Sequence, residues 1–303
     1  MNIPYGRQYI EQFEIDEVIK TLQSDFLTQG PKVNEFEKYF ANYVGSKYAV
    51  AVSNATAGLH ISVKSLGLKK GDRIITTPIT FASSANCARF VGAEVWFADI
   101  DPNTYLISLE KTKALLDSKP KGFFKGIIPV DFGGLPTNLE EFRKLADEHG
   151  LWIIEDACHA LGANYKSNKK KYVGNCDYSD FSIFSLHPVK SITAGEGGVV
   201  CTNSKSYYEK IKTLRSHGIT KKNKFRYEIY NNSLNYRLSD INCALALSQL
   251  RSLNKFIIKR RKIAKRYFKN FEKLIKNEII DIINYKFHKH SAWHLLILKI
   301  NFN

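Results

Sequence analysis

The chain has 303 residues, 44% hydrophobic and 24% charged, enough for one large domain plus a smaller one. No run approaches the roughly 20 apolar residues of a membrane span, the polar N-terminus lacks the apolar stretch of a signal peptide, and the five cysteines (Cys87, Cys158, Cys176, Cys201, Cys243) form no C-x-x-C pair. Free thiols in a cytoplasmic protein are therefore expected, rather than disulfides or zinc. The net charge of +16 is uneven: residues 1–204 hold 22 Lys and Arg against 23 Asp and Glu, whereas residues 205–303 hold 23 against 6. Much of that excess lies on residues 256–268, where apolar positions leave the charges on one side of a helix. Such a run reads first as a solvated face and second as a surface for an anionic small molecule; no nucleic-acid motif accompanies it.

In chain order, residues 11–24 and 32–43 have helical apolar spacing, broken by Leu27-Thr28-Gln29-Gly30-Pro31. Strands are predicted over 48–52, 73–77, 94–98, 126–130, 151–155, 180–185 and 198–202, with helices over 55–66, 82–91, 108–116 and 138–149 between them. This alternation predicts a largely parallel sheet covered by helices on both faces. After residue 204 the pattern turns helical (205–216, 239–253, 254–276) and ends in an apolar run over 295–300. A large domain over 1–240 and a smaller one beginning at 241 are expected.

Ligands of open α/β sheets sit at the carboxyl ends of the strands, which directs attention to the residues following each one. After the first come Ser53-Asn54-Ala55-Thr56-Ala57-Gly58, small polar residues opening a helix, which suit either a phosphate or a plain N-cap. Neither a P-loop nor a G-x-G-x-x-G is present, which argues against nucleotide triphosphate and dinucleotide chemistry. Phe81 follows the second strand and offers either a face for a planar ring or a core side chain. Asp156 ends an apolar strand, and a buried carboxylate there calls for a cationic partner; His159 lies three residues on, without a third residue to complete a metal site. Between two apolar runs, 181–186 and 199–201, the chain delivers Lys190, followed by Gly195-Glu196-Gly197-Gly198. A buried lysine amine is a candidate to condense with a carbonyl as a Schiff base, while a surface loop lysine is the alternative. Further on, Arg215-Ser216-His217-Gly218 and Asn235-Tyr236-Arg237-Leu238-Ser239-Asp240 read as polar loops before helices, with Ser239 or Asp240 as cap. His288, His290 and His294 form a cluster that reads as surface or substrate-facing more readily than as a metal site.

Taken together, Ser53-Asn54-Ala55-Thr56, Thr80-Phe81, Glu155-Asp156-Ala157-Cys158-His159, Phe184-Ser185-Leu186-His187-Pro188-Val189-Lys190 with Thr193-Ala194-Gly195-Glu196-Gly197-Gly198, and Asn235-Tyr236-Arg237-Leu238-Ser239-Asp240 resemble, in order and spacing, the DegT/StrS family of sugar aminotransferases. The resemblance runs over nearly the whole chain. It implies an aspartate-aminotransferase-like fold (type I of the pyridoxal-phosphate-dependent transferases) with pyridoxal 5′-phosphate as cofactor. Lys190 would hold the cofactor and shuttle a proton, and Asp156 would pair with the pyridine nitrogen. Ala55, Thr56 and Ser185 would bind the phosphate, Phe81 would stack on the ring, and His159 would lie by the ring hydroxyl. Asn235 would reach the cofactor phosphate of a neighbouring subunit, implying a homodimer with shared sites, and Tyr5, His187 and His217 would lie near the substrate. The form of the lysine segment is closest to the branch of the family that uses L-glutamate to aminate C4 of a UDP-linked 4-keto-6-deoxy-HexNAc sugar in pseudaminic acid biosynthesis. Bacillosamine- or perosamine-type sugars are the alternatives, as is a catalytically impaired, truncated protein that binds pyridoxal phosphate or a nucleotide sugar. A 3-dehydratase of the same fold is disfavoured because it carries histidine where Lys190 stands. The family continues past the strand-like end at Asn301-Phe302-Asn303, so the smaller domain is expected to be incomplete.

Overall fold

The computed structural model describes residues 6–165, 171–221, 226–229, 232–283, 285–287 and 289–302. Two helices, α1 (Gln12–Leu22) and α2 (Pro31–Val44), precede the strand–helix alternation: β1 (Tyr48–Val52), α3 (Ala55–Ser65), β2 (Arg73–Thr76), α4 (Ser83–Phe90), β3 (Glu94–Phe97), α5 (Leu109–Asp117), β4 (Gly126–Ile128), α6 (Leu139–His149) and β5 (Trp152–Asp156). Then come β6 (Phe181–Ser185), β7 (Gly198–Thr202), α7 (Lys205–Arg215) and the short pair β8 (Ile219–Lys221) and β9 (Tyr227–Ile229). The chain continues with α8 (Asp240–Asn270), α9 (Glu272–Lys276), β10 (Ile280–Ile282) and β11 (Leu298–Ile300).

Seven strands form one sheet in the order β1-β7-β6-β5-β4-β2-β3. Its pairings are parallel except at β7, which runs antiparallel to both neighbours. Because side chains alternate along a strand, neighbouring residues feed two cores. Ala49, Ala51, Phe184, Val199 and Cys201 pack towards α2, α6 and the first half of α8. Val50, Val52, Ile183 and Val200 pack towards α3, α4 and α7. Coverage on both faces explains why the strands read as near-continuous apolar runs.

The predicted helices 239–253 and 254–276 are instead one 31-residue helix, α8, followed by the short α9. Neither Gly nor Pro interrupts it. Asn254, where the break was expected, spends its side-chain oxygen on the Tyr43 hydroxyl (2.8 Å) rather than on a cap. Leu250, Leu253 and Ile257 belong to the sheet core, whereas Ala264 joins a separate cluster with Ile282 and Trp293. Ser239 caps α8 by accepting from the Asn242 amide (3.2 Å). Asp240 turns away to cap a different helix: its buried carboxylate accepts from the amides of Gly30 (2.8 Å) and Lys32 (2.9 Å) at the start of α2. The apolar run over 295–300 contributes only the three residues of β11, paired antiparallel with β10. Among the described residues no helix is long and apolar enough to cross a membrane. All five cysteines are free.

Candidate active site

The carboxyl ends of β1, β2, β5 and β6 open onto one cleft of about 720 Å³. Ala55, Thr56, Phe81, Asp156, His159, Ser185, His187 and Lys190 all line it. Asn235 and His217 do not; both are exposed, and Tyr236 takes the wall beside Asn235. Tyr5 and His288 lie outside the described residues.

Asp156 is the last residue of β5 and only 4% exposed. Its Oδ2 accepts from the Ser84 hydroxyl (2.6 Å), and its Oδ1 accepts from the Cys158 amide (3.2 Å). Among the described residues no cationic side chain pairs with it, so the cation that its burial calls for is not supplied by any of them. Glu155, one position earlier, points to the opposite face of the sheet. It accepts from Tyr165 (2.6 Å) and from Ser182, next to the fully buried Asp131. Burial and the neighbouring Glu155 hold the Asp131 carboxyl well above the usual range. The adjacent acids of the Glu155-Asp156 motif therefore have separate settings, one in the core and one in the cleft.

At the other end of the cleft α3 begins. Asn54 accepts from the Ala57 amide (2.8 Å), leaving the amides of Ala55 and Thr56 in the first turn, where no intrahelical acceptor exists. The Thr56 hydroxyl lies 2.6 Å from that of Ser83. Helix start and sheet come unusually close here: a Cβ on Gly198 would lie 2.7 Å from the Ala55 nitrogen. Amides and hydroxyls at a helix N-terminus form an anion site, so the plain N-cap is only part of what this turn offers.

Phe81 is 73% exposed, which removes the core reading and leaves its face available at the cleft. Lys190 is half-buried and sits on the loop joining β6 to β7 rather than enclosed between them. That loop is fixed at several points. The Lys190 amide donates to the His187 carbonyl (2.9 Å), Thr193 takes the Gln249 side chain as acceptor (3.3 Å), and the Asn242 side chain donates to the Ala194 carbonyl (2.6 Å). Burial pushes the Cys158 thiol up, and burial with the Lys190 charge pushes His159 down to about 3.

Sequence reasoning passed over Ser84, which orients Asp156, and Ser83, which braces Thr56. The signal available was their position just after a strand end, three and two residues past Phe81. It also passed over Tyr236, whose hydroxyl lies 3.0 Å from His60 Nδ1. A lysine, a buried unpaired carboxylate, an anion-binding helix start and an exposed aromatic face thus surround one cavity, a set that fits pyridoxal 5′-phosphate group by group.

Comparison with known proteins agrees. A UDP-4-amino-4,6-dideoxy-N-acetyl-beta-L-altrosamine transaminase of Campylobacter jejuni is 43% identical over 97% of this chain and 75% of its own length. The solved structure of Helicobacter pylori PseC, an aminotransferase involved in the biosynthesis of pseudoaminic acid, superposes with a TM-score of 0.90 at 31% identity, covering 100% of this chain and 78% of that one. The PLP form of a putative sugar aminotransferase, Spr1654 from Streptococcus pneumoniae, gives 0.89 at 27% identity, with 100% and 79% covered. The fold is that of the pyridoxal-phosphate-dependent sugar aminotransferases. Residues 8–303 match the DegT/DnrJ/EryC1/StrS aminotransferase family, and the chain, with its lysine and acid in one cleft, belongs to that family.

Proposed function

We propose that this aminotransferase uses pyridoxal 5′-phosphate to move an amino group from L-glutamate to C4 of a UDP-linked 4-keto-6-deoxy-HexNAc sugar, a step toward pseudaminic acid. The observation that carries the reading is the convergence of Lys190 with the buried, cation-free Asp156 on one cleft. The name of the 43% identical Campylobacter relative supports the sugar. When bound, the cofactor supplies an aldehyde for the amine and a ring that takes up the electron pair released at the reacting carbon. Lys190 attaches the cofactor and carries the proton to and from that carbon. Asp156 accepts from the ring N–H and holds the proton there, kept in orientation by Ser84 and the Cys158 amide. Ala55, Thr56 and Ser185 bind the phosphate, Phe81 covers a ring face, and His159 meets the ring hydroxyl.

Tyr5, His187 and His217 are assigned to the sugar nucleotide, whose diphosphate the basic last third attracts. Two subunits share each site, with Asn235 reaching across. Five free thiols accord with a reducing, cytoplasmic setting.

The test follows 2-oxoglutarate release with UDP-, GDP- and dTDP-linked keto sugars in turn. Turnover with the UDP-linked 4-keto-6-deoxy-HexNAc and its absence in Lys190→Ala are expected. Preference for a GDP or dTDP sugar would move the substrate assignment. Full turnover by Lys190→Ala would end the assignment of the lysine.

A further inference from the structure

His294, four residues before β11, has no part in the reading above. Its ring nevertheless stacks on that of His159, with centroids 4.2 Å apart and planes 37° apart. The buried Nδ1 of His294 has no hydrogen-bond partner among the described residues, and the residue is absent from the cleft lining. Its ring contact with the cleft lining is with His159.

His159 is held on its other side by backbone. Its Nδ1 lies 3.3 Å from the Gly133 nitrogen. An amide N–H can only donate, so Nδ1 is the acceptor and the neutral ring carries its proton on Nε2. Nε2 is then the nitrogen left for a ligand in the cleft that His159 lines.

Gly133 and its neighbour Gly134 also dock the segment that brings His294. Leu295 N donates to the Gly133 carbonyl (3.2 Å) and Ala292 N to the Gly134 carbonyl (2.9 Å). Gly134 sits at φ +97°, and a Cβ there would come within 2.9 Å of the backbone nitrogens of Trp293 and His294. From α8, the Arg260 guanidinium donates to the carbonyls of Trp293 (3.2 Å) and His294 (3.3 Å).

We propose that His294 is a positioning residue: its stack, together with the Gly133 amide, fixes the plane of His159 and its Nε2–H tautomer, so that the cleft always meets a hydrogen-bond donor at this ring. The ligand suited to it is an anionic oxygen on an aromatic ring, and to that extent the inference rests on the cofactor reading. The charged groups acting on the pair are Lys190 and Arg260, both cations, which oppose a further positive charge. Burial, first among the causes, pushes His294 down to about 2.

Histidine-selective ¹⁵N labelling of the cofactor-free chain reads the tautomer without turnover, with His159→Asn giving the assignment. His159 is expected as neutral Nε2–H from about pH 8 to about pH 5.5, well above its folded pKa. In His294→Ala the same ring titrates inside that window, and cofactor binding, followed by the visible absorbance of the bound group, weakens roughly tenfold. His294→Phe, which keeps a stacked ring without a titrating group, restores both. An Nδ1–H tautomer in the wild type overturns the proposal even if the alanine variant does not fold, and so does an unchanged His159 profile in a folded His294→Ala. A wild-type ring with the expected tautomer in a chain that binds no pyridoxal 5′-phosphate rejects the cofactor reading and leaves the positioning intact.

Discussion

Asp156 shows how much of this site depends on hydrogen bonds within a few ångströms. A carboxylate at the foot of a cleft, 4% exposed, is stable as an anion only if its lone pairs are taken up. The Ser84 hydroxyl and the Cys158 amide take one on each oxygen, and Ser84 is itself set by the Thr80 hydroxyl at 2.7 Å. The lone pairs that remain suit a ring N–H. On the proposed pairing with the ring N–H, replacing the charge by an amide strands half of a buried ion pair, a change that costs about 3–5 kcal/mol. Asp156→Asn is therefore expected to lower kcat/KM by roughly 10²–10⁴-fold at saturating cofactor. Ser84→Ala removes only the orienting bond, about 1 kcal/mol, and should cost between a few-fold and tenfold. Steady-state kinetics on the two variants separates the roles: near-wild-type rates in Asp156→Asn would show that the carboxylate does not hold the ring proton, whatever Ser84→Ala does.

Among the elements, those with a simple period could be read in advance and those that depend on distant partners could not. Near-continuous apolar runs and helical stripes place β1 to β7 and α1 to α7 within a residue or two of where they lie, because burial on both sheet faces writes itself into local sequence. The stripe of α8 reads as two helices, 239–253 and 254–276; the engagement of Asn254 with Tyr43, 211 positions away, cannot be seen in a window. We propose that the large and small units share this helix, the packing changing over between Ile257 and Ala264. Ser84, His294 and Asp240 were missed or misassigned for the same reason, since their partners lie in other elements. Asp240 gives a measurable case. Helix α2 starts at Pro31 behind Gly30, so it has no capping side chain of its own, and Asp240 supplies the acceptor for two of its first amides from across the fold. Asp240→Ala leaves both donors without it and should destabilise the chain by about 2–4 kcal/mol. Urea unfolding that returns a midpoint within error of wild type would show that water replaces the cap.

For the molecule as a whole, the position of Asn235 bears on subunit number. It is exposed and outside the cleft of its own chain, bridged to Ser216 and followed by Tyr236, which does line the cleft. A side chain so placed serves the cofactor phosphate only if it meets the cleft of a second copy, as proposed. Symmetry then makes an unambiguous prediction. Lys190→Ala and Asn235→Ala would each be impaired as a homodimer, because every site lacks one of the two groups. In a mixed dimer, one site collects both defects, its own missing lysine and the partner's missing asparagine, while the other has an intact lysine and an intact asparagine. Unfolding and refolding the two variants together in equal amounts gives half mixed dimers, each with one of its two sites whole, so about a quarter of wild-type turnover returns. If Asn235 serves its own chain, no site in any combination has both groups, and mixing adds nothing to the sum of the separate activities. Size-exclusion chromatography before and after mixing confirms that subunits have exchanged, so that a null result counts against the shared site rather than against the exchange.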